Sequence, residues 1–363
     1  NNSSRLLNFF PKGLFARQVA TLMTGTILSG TLGIVVMPVL TRMYKPEDFG
    51  MFALYSSLLG LLSVVACARY ELAIVLPEKD EDSANLLLLC LIICIFMASF
   101  TLLLVVLFQT SLARMLSAPA LAPWLYVLPV SLVAFGIFRI LNYWSTRRKH
   151  FKRLAARQIT QSSVTAASQI GAGFFCSSTN VGGLIGGSIV GQVFASGILA
   201  WQVERDEGRF IRQSLTRSSL VRVAKRYRNF PLYDIWSAFL NVSSTMLPAL
   251  LLGYFFNPTV VGFYALGFQI LAVPMGIMGN SIAQVFFPHA SEAKRKRQLD
   301  QLTFKIFQRL LKIGFVPFLL LTIVAPDLFA LVFGARWFTA GEYVRWLSVW
   351  LLFVFIEIGR AHV

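Results

Sequence analysis

Acids and histidines are scarce in this chain, with 16 Asp and Glu and 3 His among 363 residues. Charged residues make up 13% and hydrophobic residues 56%, which is too apolar for a soluble domain of this size. No Gly-x-x-x-x-Gly-Lys-Ser/Thr occurs, so the chain carries no ATP site of its own. The four cysteines, Cys67, Cys90, Cys94 and Cys176, lack metal-ligand spacing and read as core filler. Asp80-Glu81-Asp82 looks like an acidic metal motif, but no nucleotide-binding domain accompanies it, and the three acids read as caps of a following helix. The chain therefore offers no metal site, no cofactor site and no catalytic cluster.

Basic residues, by contrast, are plentiful and placed by rule. Of 33 Lys and Arg, 26 fall in every second segment between the long apolar runs: the N-terminus, the stretch holding Arg69 and Lys79, 146–157, 203–228 and 288–312. The alternating segments carry five: Arg42, Lys45, Arg114, Arg336 and Arg345. Loops on the cytoplasmic side keep Lys and Arg because translocating them is costly. The pattern predicts an all-α polytopic membrane protein with its N-terminus inside. A net charge of +17 raises the question of nucleic acid, but the basic residues border apolar helices without any base-reading pattern. Their expected partners are membrane lipids of an anionic leaflet.

A membrane-crossing helix needs about 20 apolar residues. Ten spans meet that rule, near 18–41, 49–67, 84–108, 120–144, 159–177, 182–202, 232–256, 260–287, 313–333 and 342–358. Pro38, Pro129, Pro248, Pro274 and Pro317 interrupt spans, either as static kinks or as bends for a protein with two states. Gly182–Gly186, Gly183–Gly187 and Gly187–Gly191 are spaced for close helix packing.

Pro46-Glu47-Asp48-Phe49-Gly50-Met51-Phe52-Ala53-Leu54 and Pro258-Thr259-Val260-Val261-Gly262-Phe263-Tyr264-Ala265-Leu266 share Pro, Gly, Ala and Leu at one offset of 212 residues. Six spans separate them, an even number, so both copies enter the membrane in the same direction and the repeat is parallel. It divides the chain into a six-helix lobe over 1–202, a basic linker over 203–231 and a partial four-helix lobe over 232–356. A complete second half extends roughly 80 residues past Val363. The abrupt change after Ile356 marks 357–363 as a non-native tail, so nothing is built on Glu357 or His362.

The chain resembles the Wzx-type oligosaccharide flippases of the MOP (multidrug/oligosaccharidyl-lipid/polysaccharide) superfamily. The stretches that carry the resemblance are Pro38-Val39-Leu40-Thr41-Arg42 with Phe49-Gly50, and above all Ala68-Arg69-Tyr70-Glu71-Leu72-Ala73-Ile74-Val75-Leu76-Pro77. Leu141-Asn142-Tyr143-Trp144, Lys149-His150-Phe151-Lys152, and Pro274 with Gln284-Val285-Phe286 complete them. The resemblance implies a MATE-like bundle of twelve helices in two lobes, of which ten are present here. It implies translocation of an undecaprenyl-diphosphate-linked sugar repeat unit across the bacterial cytoplasmic membrane for O-antigen, capsule or exopolysaccharide synthesis. The partners it implies are the lipid-linked oligosaccharide, a polysaccharide polymerase and a chain-length regulator.

Seven residues are candidates for the cavity. Arg139 lies inside the fourth span, where a charge costs about 2.5 kcal/mol or more unless it faces protein or water. It either lines the cavity, with Asn142 one turn on, or snorkels to the interface. Arg69 and Glu71 break the apolar run between the second and third spans, as a cavity mouth or an interfacial ion pair. Asp234 shares a helix face with Asn241, and reads as a helix cap ahead of a proton carrier. Gln284 is a sugar-hydroxyl partner or a structural hydrogen bond. A MATE-like small-molecule exporter is the alternative function, and its coupling acid would be Asp234. An enzyme reading fails on the short outer loops and on His150 and His289, which fall on the inner side.

Overall fold

The computed structural model describes residues 14–175, 181–272 and 299–357, with side chains chiefly in 21–175, 181–272 and 318–354. Helices account for nearly all of them, and no strand occurs among the described residues. The long helices are α1 (Leu14–Met43), α2 (Pro46–Val65), α3 (Asp80–Met115), α4 (Leu128–Arg147), α5 (Phe151–Phe175) and α6 (Gly182–Ser214). They continue as α7 (Arg217–Arg226), α8 (Ile235–Phe255), α9 (Pro258–Ala272), α10 (Leu299–Phe333) and α11 (Phe338–Glu357). By packing, residues up to Val36 with Leu54–Asn257 form one compact unit, and Met37–Ala53 with Pro258 onward form the other.

The described residues of the expected spans fall on helices apart from a break in the fourth, with the fifth described as far as Phe175, the eighth as far as Ala272 and the tenth as far as Glu357. Six helices have the length and apolarity to cross a bilayer: Thr21–Met43, Pro46–Val65, Asp80–Met115, Leu128–Arg147, Gly182–Ser214 and Phe230–Phe255. Pro258–Ala272 and Phe318–Phe333 are shorter apolar helices. The count of ten crossings stays an expectation. α5 is helical but polar, carrying Gln158, Gln161, Ser162, Ser163, Thr165, Ser168 and Gln169 within one helix.

The fourth span differs from its expected course. Pro119, Pro123 and Pro129 remove backbone donors, and the stretch 119–125 forms only a 3₁₀ turn and one short helical turn. α4 itself starts at Leu128 with Pro129 in its first turn, where the missing N–H has no partner to lose. Pro129 thus starts a helix, whereas Pro38 and Pro248 lie inside α1 and α8. Pro274 lies outside the described residues.

Glycine decides two contacts. A Cβ on Gly187 or Gly191 would stand 2.5 Å from Gln169 Cγ or 1.9 Å from Thr165 Oγ1, so α5 and α6 touch nearly backbone to backbone. Gly186 faces open space, and Gly182 meets the Trp124 ring instead. In the other unit, a Cβ on Gly50 would lie 1.6 Å from the Pro258 carbonyl oxygen, and one on Gly262 would lie 1.9 Å from that of Pro46. The contact is reciprocal, so the two copies of the sequence repeat cross around a local two-fold. Trp337 seals the crossing. Its ring is fully buried, edge-on to Phe49 (5.1 Å) and Phe263 (6.0 Å), and its Nε1 donates to the Thr41 carbonyl at 3.0 Å.

The core of the first unit surrounds Cys67, Cys90, Cys94, Ile74, Leu132 and Trp144. The three cysteines are free and buried, as core filler should be, and Cys176 lies outside the described residues. Asp80, Glu81 and Asp82 occupy the first turn of α3. Asp80 does more than complement the helix dipole. Its Oδ1 accepts from Arg147 Nε (2.9 Å) and Nη2 (2.8 Å), and its Oδ2 accepts from Arg148 Nη1 (2.7 Å). Arg148 Nε also donates to Glu207 Oε2 at 2.7 Å, which joins the ends of α3, α4 and α6.

Candidate functional site

After α2 the chain turns sharply through Ala68 and Arg69, whose φ angles of 48° and 63° are both left-handed. Neither residue is glycine, so the surrounding packing must hold this geometry. A 3₁₀ turn, Tyr70–Val75, follows and aims Glu71 into the core. Tyr70 Oη anchors the turn by donating to the Ala224 carbonyl on α7 at 2.9 Å.

Four of the seven candidates meet here. Glu71 is 1% exposed, and its Oε1 lies 3.1 Å from Arg139 Nη2 and 3.9 Å from Arg69 Nη1. Arg69 Nε donates to Asp234 Oδ2 at 2.6 Å. The chain of contacts runs Arg139–Glu71–Arg69–Asp234 and carries no net charge. Glu71 Oε2 is buried without a hydrogen-bond partner. Burial pushes the Glu71 carboxyl above its ordinary value, against the lowering pull of the Arg139 and Arg69 guanidiniums.

Arg139 turns toward Glu71, with the Phe135 ring 5.9 Å from its Cζ, and its side chain keeps 19% exposure. Arg69 keeps 17%. Each guanidinium has five N–H donors and engages carboxylates with only some of them. Both can therefore take a further anion.

Asp234 corrects the sequence reading. It stands at the N-cap of α8, but its side chain makes no cap hydrogen bond. The π-turn Phe230–Asp234 directs the carboxylate to Arg69 instead. Asn142 is half-buried and touches the network through no polar contact; its carbonyl accepts from Thr146 Oγ1 at 2.8 Å. Asn241 is exposed, with its carbonyl accepting from Ser244 Oγ at 2.6 Å. Gln284 lies outside the described residues.

Arg157 is the residue that sequence reasoning missed. It was counted with the basic segment 146–157, yet it lies inside α5 and is 6% exposed. The available signal was the polar-rich stretch after it, Gln158, Thr160, Gln161, Ser162 and Ser163, which continues the same helix.

Comparison with solved structures shows a MATE-like fold. A multidrug resistance MATE transporter of the MOP superfamily in an inward-facing conformation is 16% identical with a TM-score of 0.56, over 94% of this chain and 81% of that one. A MOP superfamily transporter from Pyrococcus furiosus, described as having a binding pocket of reversed polarity, is 15% identical with a TM-score of 0.51, over 95% of this chain and 82% of that one. A point mutant of a MATE protein aligns at 14% identity and a TM-score of 0.51, over 95% and 82% of the two chains. At these identities the likeness is one of fold. The family described as polysaccharide biosynthesis protein, whose members are Wzx-like flippases, matches residues 39–342, and the chain belongs to it. No curated protein matches the chain. Family and neighbours are transporters rather than enzymes.

Proposed function

We propose that this multi-pass membrane protein flips undecaprenyl-diphosphate-linked oligosaccharide repeat units from the cytoplasmic to the outer leaflet of the bacterial cytoplasmic membrane. The family supports the transport of polysaccharide precursors. The observation that carries the finer reading is a pair of partly exposed arginines, Arg139 and Arg69, each held by an acid at the edge of an apolar core. Sugar hydroxyls cost several kcal/mol each to bury without partners, and a diphosphate needs cations beside it. Glu71 and Asp234 keep the guanidiniums paired until the diphosphate displaces them.

In this reading the chain has lobes over 1–202 and 232–356 joined by the 203–231 linker, with the N-terminus inside. The polysaccharide polymerase and chain-length regulator act downstream. A small-molecule exporter would need a free acid for ion coupling, and the pairing of Asp234 with Arg69 weighs against it. Complementation tests the proposal. The full protein should restore surface glycan in a strain lacking its gene. Accumulation of lipid-linked repeat units on the inner face despite normal protein levels would overturn it.

The pairing also sets a pH dependence. The Glu71 pKa is raised, so as pH falls Glu71 takes up its proton ahead of ordinary carboxyls, and Arg139 is released. Affinity for undecaprenyl diphosphate should therefore rise as pH falls. Glu71→Gln should bind about ten- to a hundredfold more tightly at neutral pH and lose the dependence, because one competing charge-assisted contact is gone. Titration of the purified protein by calorimetry at several pH values checks this. Weaker binding by Glu71→Gln would show that Glu71 orients Arg139 and does not compete for it.

A further inference from the structure

We infer that the outer face of α7 is a docking surface for anionic lipid headgroups, and that lipid seated there steadies the turn that presents Arg69 and Glu71. The segment 215–229 carries five basic residues, Arg217, Arg222, Lys225, Arg226 and Arg228, and no acid. All five are exposed, with Val221 exposed among them. Leu220, Val223 and Tyr227 recur at helical spacing on the opposite side. There Val223 is buried in the core of the first unit and Tyr227 packs against that core. Protein thus takes the apolar face of α7 and leaves the basic face open. Among the described residues the one ion pair on that face joins Arg222 Nη1 to Asp82 Oδ1, at 4.0 Å.

The depth of α7 identifies the partner. Asn85 pins its start: Nδ2 donates to the Ser214 carbonyl at 2.9 Å, and Oδ1 accepts from the Thr216 N–H at 3.2 Å. The next residue, Leu86, opens the apolar run of α3. At the other end, the long apolar segment Phe230–Phe255 follows at once. Both ends of α7 are therefore held where helices pass from headgroups into hydrocarbon. The headgroup layer is about 5–8 Å deep on each side, and a helix of this length spans about 15 Å, so α7 lies along the layer. Lipid phosphates are the dense anion of that layer, and each basic residue beside them is worth roughly fivefold in attachment. Tyr70 carries the effect to the candidate site. Its Oη holds the Ala224 carbonyl of α7, and Glu71 is the next residue. The left-handed pair Ala68 and Arg69 needs such support from outside the turn.

The test uses the purified full protein in neutral detergent. Phosphatidylglycerol is titrated in, phosphatidylcholine serves as the control, and hydrogen–deuterium exchange is read over 217–226 and 70–75. At about tenfold excess of phosphatidylglycerol over Kd, exchange in both segments should slow about tenfold, and high salt should remove the effect. The variant Arg222→Gln/Lys225→Gln/Arg226→Gln/Arg228→Gln should need at least about tenfold more lipid for the same slowing. Lys152→Gln/Arg205→Gln/Arg209→Gln/Arg212→Gln removes as many exposed charges elsewhere and should respond as the wild type does. Tyr70→Phe should keep the slowing over 217–226 and lose it over 70–75. Equal slowing by phosphatidylcholine, or an equal response of the two charge variants, would overturn the docking surface. Slowing by soluble polyglutamate would assign the face to an acidic protein instead. Slowing that persists over 70–75 in Tyr70→Phe would break the link to Arg69 and Glu71. The readout involves no cargo, so its failure is distinct from a failure of glycan transport.

Discussion

Replacing Arg139 with alanine should reduce surface glycan at least tenfold in a strain complemented with the full protein. One charge-assisted contact to the diphosphate is worth about 1.5–3 kcal/mol, or roughly ten- to a hundredfold in occupancy. The substitution also orphans Glu71, which is buried and has Arg69 as its remaining basic neighbour at 3.9 Å. Breaking a buried pair from one side is destabilising, so some loss of abundance accompanies the loss of export. Its raised pKa lets Glu71 take up a proton and limits that loss. The double variant Arg139→Ala/Glu71→Gln separates the two effects. It should restore abundance and leave export low. Arg139→Lys should keep partial export, because a point charge still attracts phosphate but loses the bidentate fork. Normal export by the double variant would remove Arg139 from the transport path.

Gly50→Ala and Gly262→Ala should each lower folded protein sharply. A methyl at either position would overlap a backbone carbonyl oxygen across the crossing of α2 and α9, and backbone cannot turn aside as a side chain can. Overpacking of this kind costs about 3 kcal/mol or more. Gly33→Ala and Gly186→Ala are the controls, since an added Cβ meets nothing within 4 Å at either position. Membrane abundance and the thermal midpoint in detergent check the comparison. Equal behaviour of all four variants would mean that the crossing is looser than its geometry implies.

The membrane class was legible because hydropathy and the placement of Lys and Arg act through the bilayer, a solvent that any single segment meets alone. The repeat that carries Gly50 and Gly262 was legible as well, since a repeat preserves register even where the residues between its copies diverge, but not that its two copies meet. Arg69, Glu71 and Arg139 stood out for a similar reason: a charge in an apolar stretch calls for a partner. Which partner is a matter of tertiary structure. Asp234 lies 165 residues from Arg69, and its place before a helix favoured a cap on local grounds. The pairing with Arg69 prevailed over that local preference. Arg157 was hidden for the opposite reason. Charge counting treats a basic segment as one solvated loop, and here the helix had already begun at Phe151. Part of the polar side of α5, at Thr165 and Gln169, is covered by α6 at Gly191 and Gly187.

The most direct test of lipid-linked oligosaccharide flipping is reconstitution of the full protein in vesicles holding undecaprenyl-diphosphate-linked oligosaccharide. The share of sugar open to an impermeant glycosidase is then measured. In protein-free vesicles only the outer-leaflet share is cleaved. The account predicts that the wild type brings the inner-leaflet share out as well, while Arg139→Ala/Glu71→Gln leaves it protected. A wild-type protein that is folded and inserted, exports a small organic cation and leaves the inner-leaflet sugar untouched would contradict it.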